Sequence, residues 1–342
     1  MSFGFRPQYK TRLYYEAGKT DVYFLPRGNL FSAINLLLML EVNVVSSDSS
    51  NAPDFQIWNA IERMELIQDS RKAIWSLSGQ AAALLFGKTR GAGVAAYANA
   101  AIAGTTANNV QGQMYLSCKS YPLDAPKPWD FLIDTRAHQY ELKIKWRDLT
   151  VAGTLFGTIG SSITLTASEN YMEVELDALL PMKNPADGKD DAYARGTPPV
   201  VGYIENKQAI TASNTKFQVD LAEFQKYRNL IIYATHVVNT AQEVGESDIL
   251  QNNIKIYDTQ GVFYVDELAS MVKAKTSRKW GQGSSLNAGV YDIEFTAFGS
   301  AFDALQSNNI VNLFMDLDVV KQSNNTYLRT IQVTQEAQGM PG

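Results

Sequence analysis

Two stretches of this chain, 190 residues apart, are built to one plan of strand, turn, strand and helix. From Met64 the sequence runs MELI, QDSRKA, IWSL and SGQAAALLF, an alternation that gives way to a helical period. From Ile254 it runs IKIY, DTQG, VFYV and DELASMVKAK, the same order with matching turn residues (Asp69 and Ser70; Asp258, Thr259 and Gly261). Each unit is preceded by an arginine and a long apolar strand, Arg27 before NLFSAINLLLMLEVNVV and Arg228 before NLIIYATHVV. Arg27 and Arg228 are 201 residues apart, so the first copy is 11 residues longer between these landmarks, a length the polar segment 46–54 absorbs. Repetition on this scale predicts two copies of one domain.

With 342 residues, 45% of them hydrophobic, the chain is long enough for two domains with a core each. The net charge of −5 argues against holding nucleic acid by counterion release. Cys118 is the single cysteine, so no intrachain disulfide forms. The start lacks an apolar central region, and no secretory leader is expected. The most apolar run, 30–45, is interrupted by Asn35, Glu41 and Asn43 and reads as a buried strand rather than a membrane span; a soluble protein is expected.

Residues 1–19 form an N-terminal arm in which Arg6, Lys10, Arg12 and Lys19 outnumber Glu16 among five aromatic rings. It reads either as an arm packed on its own domain or as a membrane-facing anchor, with Arg6, Lys10 and Arg12 meeting anionic headgroups. The first domain is expected over 20–180. Its strands are DVYFLP, the 30–45 run, the hairpin Trp58–Ile67 and Ala73–Leu77, Met114–Cys118, Trp129–Ile133, His138–Leu149 and Ser162–Leu176. Ser78 is placed to cap the first helix. Segment 87–113, rich in Gly, Ala, Thr and Asn, reads as a projecting loop, mirrored by 275–288 in the second copy. Tyr121–Trp129, with three prolines, reads as an irregular crossing. Four prolines mark the linker at 181–199, and the second domain is expected over 200–342. Its strands are Lys216–Leu221, Leu230–Asn239, Asp248–Tyr257, Val262–Val265, Val290–Phe298, Ile310–Val320 and Tyr327–Thr334, with a helix from Asp266. Eight strands in the first copy, and seven placed in the same order in the second, predict an all-β fold of two tandem eight-stranded jelly-roll β-sandwiches, each with one short helix.

Catalytic chemistry is sparse. His138 and His236 are the only histidines, one per copy, and read as structural. One histidine per domain does not furnish a bicupin metal site. Cys118 has no neighbouring base. There is no phosphate-binding loop, dinucleotide fingerprint or zinc spacing. Asp187, Asp190 and Asp191 offer the chemistry for a structural calcium, but their spacing fits no defined calcium loop and a solvated loop explains them. Asp316 and Asp318 alternate onto one strand face, where exposure is explanation enough. No catalytic, cofactor-binding or metal residue is assigned, and the chain is read as a non-enzyme.

FLPRGNLFSAINLLLMLEVNV at 24–44 and IERMELIQDSRKAIWSLSG at 61–79 resemble the N-terminal domain of the double jelly-roll major capsid proteins of membrane-containing icosahedral phages, of corticovirus, finnlakevirus and tectivirus type. The second half matches that family by pattern alone. The resemblance implies a coat protein of the virion capsid, made in the host cytoplasm. It further implies a homotrimer whose six upright jelly rolls form a pseudo-hexagonal block over an internal lipid membrane. The partners it implies are the chain itself, neighbouring capsomers, penton and minor capsid proteins, and membrane lipid at the base, without direct nucleic acid. A tandem of like sandwiches suits this physically, because three copies present six near-equivalent sides that tile a flat facet. Aromatic-rich sandwich sides would supply lateral interfaces of over ~1,000 Å² each.

Two other readings stand beside it. A carbohydrate-binding or adhesin-like β-sandwich module needs an exposed aromatic platform, whereas Trp58, Trp75, Trp129, Trp146 and Trp280 are scattered along the sequence. A jelly-roll glycan hydrolase needs a carboxylate pair, for which Glu62, Glu65 and Glu173 are the candidates, with no spacing that singles out a pair.

Overall fold

A computed structural model describes residues 8–44, 56–90, 108–117, 132–149, 163–165, 170–179, 199–222, 225–238, 242–245, 249–280, 289–295, 305–307, 312–321 and 325–336. Its first half carries β1 (Gln8–Tyr14), β2 (Thr20–Phe24), β3 (Leu30–Val44), β4 (Ile61–Gln68), β5 (Lys72–Leu77) and α1 (Gly79–Arg90). β6 (Asn108–Ser117), β7 (Ile133–Asp134), β8 (Tyr140–Trp146), β9 (Ile163–Leu165) and β10 (Tyr171–Leu179) complete it. The second half carries β11 (Val200–Ile210), β12 (Asn214–Leu221), β13 (Lys226–Val238), β14 (Gln242–Gly245), β15 (Leu250–Asp258) and β16 (Phe263–Leu268). There follow α2 (Ala269–Trp280), β17 (Val290–Glu294), β18 (Leu305–Gln306), β19 (Leu313–Val319) and β20 (Thr326–Glu336).

The pairing is the same twice. In the first half one sheet runs β1-β10-β3-β6 and the other β5-β4-β8-β2; in the second, β11-β20-β13-β17 and β16-β15-β19-β12. The likeness reaches single residues at the two hairpins. β4 against β5 shifts register between Leu66 and Ile67, and β15 against β16 shifts between Ile256 and Tyr257, 190 residues on. Ile74 and Tyr264 therefore occupy the same bulge, and Trp75 corresponds to Val265. The fold is a double jelly roll, two sandwiches whose strands put alternate residues into a core.

β3 shows why. Phe31, Ile34, Leu36, Leu38 and Leu40 are buried in the first core, while Asn35, Leu37 and Met39 on its other face are half-buried, so its run of apolar residues meets little water on either side. β19 alternates without exception, with Leu313, Met315, Leu317 and Val319 inward and Phe314, Asp316 and Asp318 half-exposed.

Several elements depart from the sequence expectation. Segment 8–14 of the expected arm is an edge strand of the first sheet, paired with β10 from Gln8 to Tyr14. Residues 56–60 form a 3-10 turn, so the hairpin begins at Ile61 rather than Trp58. Asp266, Glu267 and Leu268 stay in β16, held by the ladder to Lys255, Ile254 and Asn253, and the second helix starts three residues later than expected. The helices run on to Arg90 and Trp280, shortening both expected loops; β6 also takes residues 108–113 from the first, and 91–107 and 281–288 lie outside the described residues. The single strand expected at 162–176 is divided into β9 and β10. β11, β14 and β18 were not expected at all. Of the described part of the 181–199 linker there is only Pro199, and β11 opens at Val200.

Candidate assembly site: the seam and the open edges

The two sandwiches are joined along one seam. β5, an edge of the first, lies parallel to β11, an edge of the second, with Trp75 opposite Tyr203 and Ser76 opposite Ile204. This merges one sheet from each half into a ten-stranded sheet. The Trp75 indole N–H donates to the carbonyl of Val201 at 2.8 Å, and its ring packs on Tyr203 with centroids 5.8 Å apart. Val200, Val201, Tyr203, Ile331 and Val333 of the second half are buried in the same cluster as Trp75, Leu77 and Leu84 of the first. α1 and α2 also touch.

A buried polar group locks the seam. Glu205 of β11 accepts from the Ser78 backbone N–H at 2.6 Å, the Ser78 hydroxyl at 3.1 Å and the Tyr233 hydroxyl at 2.7 Å, and it pairs with the Arg329 guanidinium. Arg329 Nε donates in turn to Thr235 Oγ1 at 3.1 Å. The side chains of Arg329 and Glu205 are 5% and 6% exposed. A charge so removed from water holds only when paired and hydrogen-bonded, and each of these donors answers that need. Burial, with the Glu205 charge adding to it, pushes the Tyr233 phenol well above its ordinary range, so Tyr233 stays a donor. Ser78 also caps α1 as expected, its hydroxyl accepting from the Ala81 N–H at 3.2 Å.

Away from the seam, the exposed large apolar side chains gather on and beside outer strands: Val22 and Phe24 on β2, Tyr14 on β1, Val262 just before β16, Phe263, Tyr264 and Leu268 on β16, and Met271 at the start of α2. Such residues on edge strands mark an interaction surface or an aggregation hazard.

Of the residues singled out in the sequence, Lys10 and Arg12 are on β1, about half exposed, with Lys10 bonded to Glu175 and Glu173 and Arg12 to Glu173. Arg6, Cys118, Trp129, Asp187, Asp190 and Asp191 lie outside the described residues. His138 Nδ1 is 2.6 Å from Asp69 Oδ2 at the end of the first sandwich, while His236 lies on β13 of the second. Glu62 bonds Lys145, Glu65 bonds Arg63, and Glu173 stands on the other sheet with the β1 cations, so the candidate carboxylates do not converge. Among the described residues no group of three or more His, Cys, Asp or Glu is placed to hold a metal. Trp58, Trp75 and Trp146 are buried in the core and make no sugar platform. Sequence reasoning missed Glu205, Arg329 and Tyr233, which only the strand pairing brings together.

No protein-family model and no curated protein matches the chain. Solved structures do. Sulfolobus Turreted Icosahedral Virus contains a chain 15% identical, with a TM-score of 0.65 over 97% of this chain and 91% of that one. The PBCV-1 virus capsid gives 11% identity and a TM-score of 0.61 over 100% and 98%. The major capsid protein of bacteriophage PM2 gives 12% identity and a TM-score of 0.53 over 97% and 100%. These capsid structures are double jelly rolls, and the likeness spans both sandwiches of this chain.

Proposed function

We propose that this chain is the major coat protein of an icosahedral virion. It acts as a homotrimer whose six sandwiches form a pseudo-hexagonal block, and many such blocks tile a shell over an internal membrane. The observation that carries the reading is the seam. The β5–β11 pairing and the bonds from Ser78 to Glu205 join two like sandwiches into one unit, which is what a tile needs and a hinged two-domain binder does not. The likeness to capsid structures over nearly the whole of both chains supports it. In this reading the lobes are 20–180 and 200–342 with a linker at 181–199, the first lobe also taking in β1. The segment ahead of β1, with Arg6, meets lipid. The acidic shell needs no nucleic-acid contact, because membrane separates it from the genome. Light scattering on the purified protein tests the unit: a trimer and, at high concentration, faceted shells by electron microscopy are expected. A persistent monomer that binds glycans overturns the reading.

A further inference from the structure

The internal repeat gives β5 and β11 counterparts whose outer edges carry no strand among the described residues. β16 is the second-copy counterpart of β5, and β1 is the first-copy counterpart of β11; each is a terminal strand of its sheet among the described residues. The contrast in burial is direct. Ile74, Trp75, Ser76 and Leu77 are buried by the seam, whereas their counterparts Tyr264, Val265, Asp266 and Glu267 are exposed or half-exposed, and Phe263 and Leu268 beside them are 56% and 50% exposed. β16 is thus a strand shaped like β5 that lacks its β11. Its charge also points to an occupant. β16 carries Asp266 and Glu267, while β1, QYKTRLY, carries Lys10 and Arg12 and no acid. Both strands expose aromatic rings, Phe263 and Tyr264 on one and Tyr14 on the other.

We propose that β16 of one copy pairs in parallel with β1 of the next, repeating between chains the β5–β11 contact made within each. The proposal rests on the trimer reading and specifies its interface. The contact is heterologous, so it propagates in one direction and closes only as a ring. Each chain uses its one β16 and its one β1, and three copies then alternate internal and external seams around six sandwiches. Lys10 and Arg12 bond Glu173 and Glu175, Glu267 bonds Lys275 and Asp266 accepts from Asn253, all at the surface, where such contacts are weak and exchange readily, so the basic pair is able to turn toward Asp266 and Glu267 of a neighbour. The external seam is weaker than the internal one because β1 offers no counterpart of Glu205 to cap the neighbouring helix.

Engineered disulfides test it in a Cys118→Ala background. Lys10→Cys or Thr11→Cys is combined with Asp266→Cys or Glu267→Cys on the full chain and oxidised, since a bond forms only where Cα atoms come within ~7 Å. At least one pair is expected to give a covalently closed trimer on a non-reducing gel, with neither cysteine cross-linking alone. Cross-linked dimers from a single cysteine overturn the proposal, because they need an isologous contact. Stable trimers with no cross-link from any pair overturn it and leave the trimer reading standing; a monomer at every concentration ends both. As a second arm, Lys10→Glu with Arg12→Glu should weaken trimers about tenfold, and adding Asp266→Lys with Glu267→Lys should restore them. If the first double variant instead abolishes flotation with anionic liposomes and leaves trimers untouched, β1 faces lipid and the pairing is wrong.

Discussion

Glu205 and Arg329 form an ion pair inside the second sandwich, yet Glu205 is also the group that receives Ser78 at the start of the first sandwich's helix. One carboxylate thus ties together β11, β20, β13 and α1. Glu205→Ala would leave the Arg329 charge buried without its partner and orphan three further donors, for a loss of about 3–5 kcal/mol. Glu205→Gln keeps an acceptor for Ser78 and Tyr233 and should lose less. Denaturation midpoints at one fixed protein concentration check the order, because assembly adds to apparent stability. Equal losses for Ala and Gln would mean that the charge alone matters.

Gly79 opens α1 against the 3-10 turn 56–60. A Cβ at this position would stand 2.0 Å from the carbonyl oxygen of Trp58, far inside contact distance, and the obstacle is backbone that cannot rotate away. Gly79→Ala is therefore expected to destabilise the first sandwich by about 2 kcal/mol or more, despite alanine's better helix propensity. Thermal unfolding of the variant measures it. A gain in stability would show that the turn and helix are not packed as described.

Each hairpin turn holds a carboxylate, Asp69 in the first sandwich and Asp258 in the second. Desolvation pushes Asp69 up, but the Gln139 N–H and His138 together bring it below its usual range. Asp258 behaves alike: desolvation is outweighed by the N–H of Val262, the Tyr264 hydroxyl and the N–H groups of Gln260 and Gly261. Both groups have folded pKa values depressed below the unfolded value of about 3.9. Their stabilisation is complete above that value and is lost as pH falls through the folded pKa. Asp69→Asn and Asp258→Asn should each lower stability at neutral pH and flatten its fall below about pH 4, relative to the parent. Chemical denaturation between pH 2 and 7 reads the slopes; unchanged slopes in both variants would exclude these turns as contributors.

The parts of the fold legible in the sequence were those fixed by short-range pattern. The apolar run of β3, the alternation of β8 and β19 and the Ser78 cap are local facts, and the constant spacing of the two hairpins exposed the duplication. β11 escaped notice because VVGYIENKQAI alternates only in part, its inner half being buried by a strand from the other sandwich. β1 read as an arm because Lys10 and Arg12 make it basic; their partners on β10 are more than 160 residues away in sequence. The lock could not be found at all, since Glu205 stands in a polar run and meets Arg329 only through the β11–β20 and β13–β20 ladders. The one available hint was the repeat itself: whatever holds two like sandwiches together must lie on the edges that the duplication leaves unmatched.

The segment before β1 provides the last test. Removing residues 2–15 would also strip an edge strand paired residue by residue with β10, so its effect on lipid binding and on folding would be inseparable. Removing residues 2–7 spares that ladder while taking away Arg6 and two of the aromatic rings. If this segment contacts membrane, the shortened protein keeps its melting temperature and its oligomeric state but floats less with anionic liposomes, and the difference narrows as salt rises and screens the basic charge. Flotation equal to that of the full chain would assign lipid contact to another part of the base, or to a different protein of the shell.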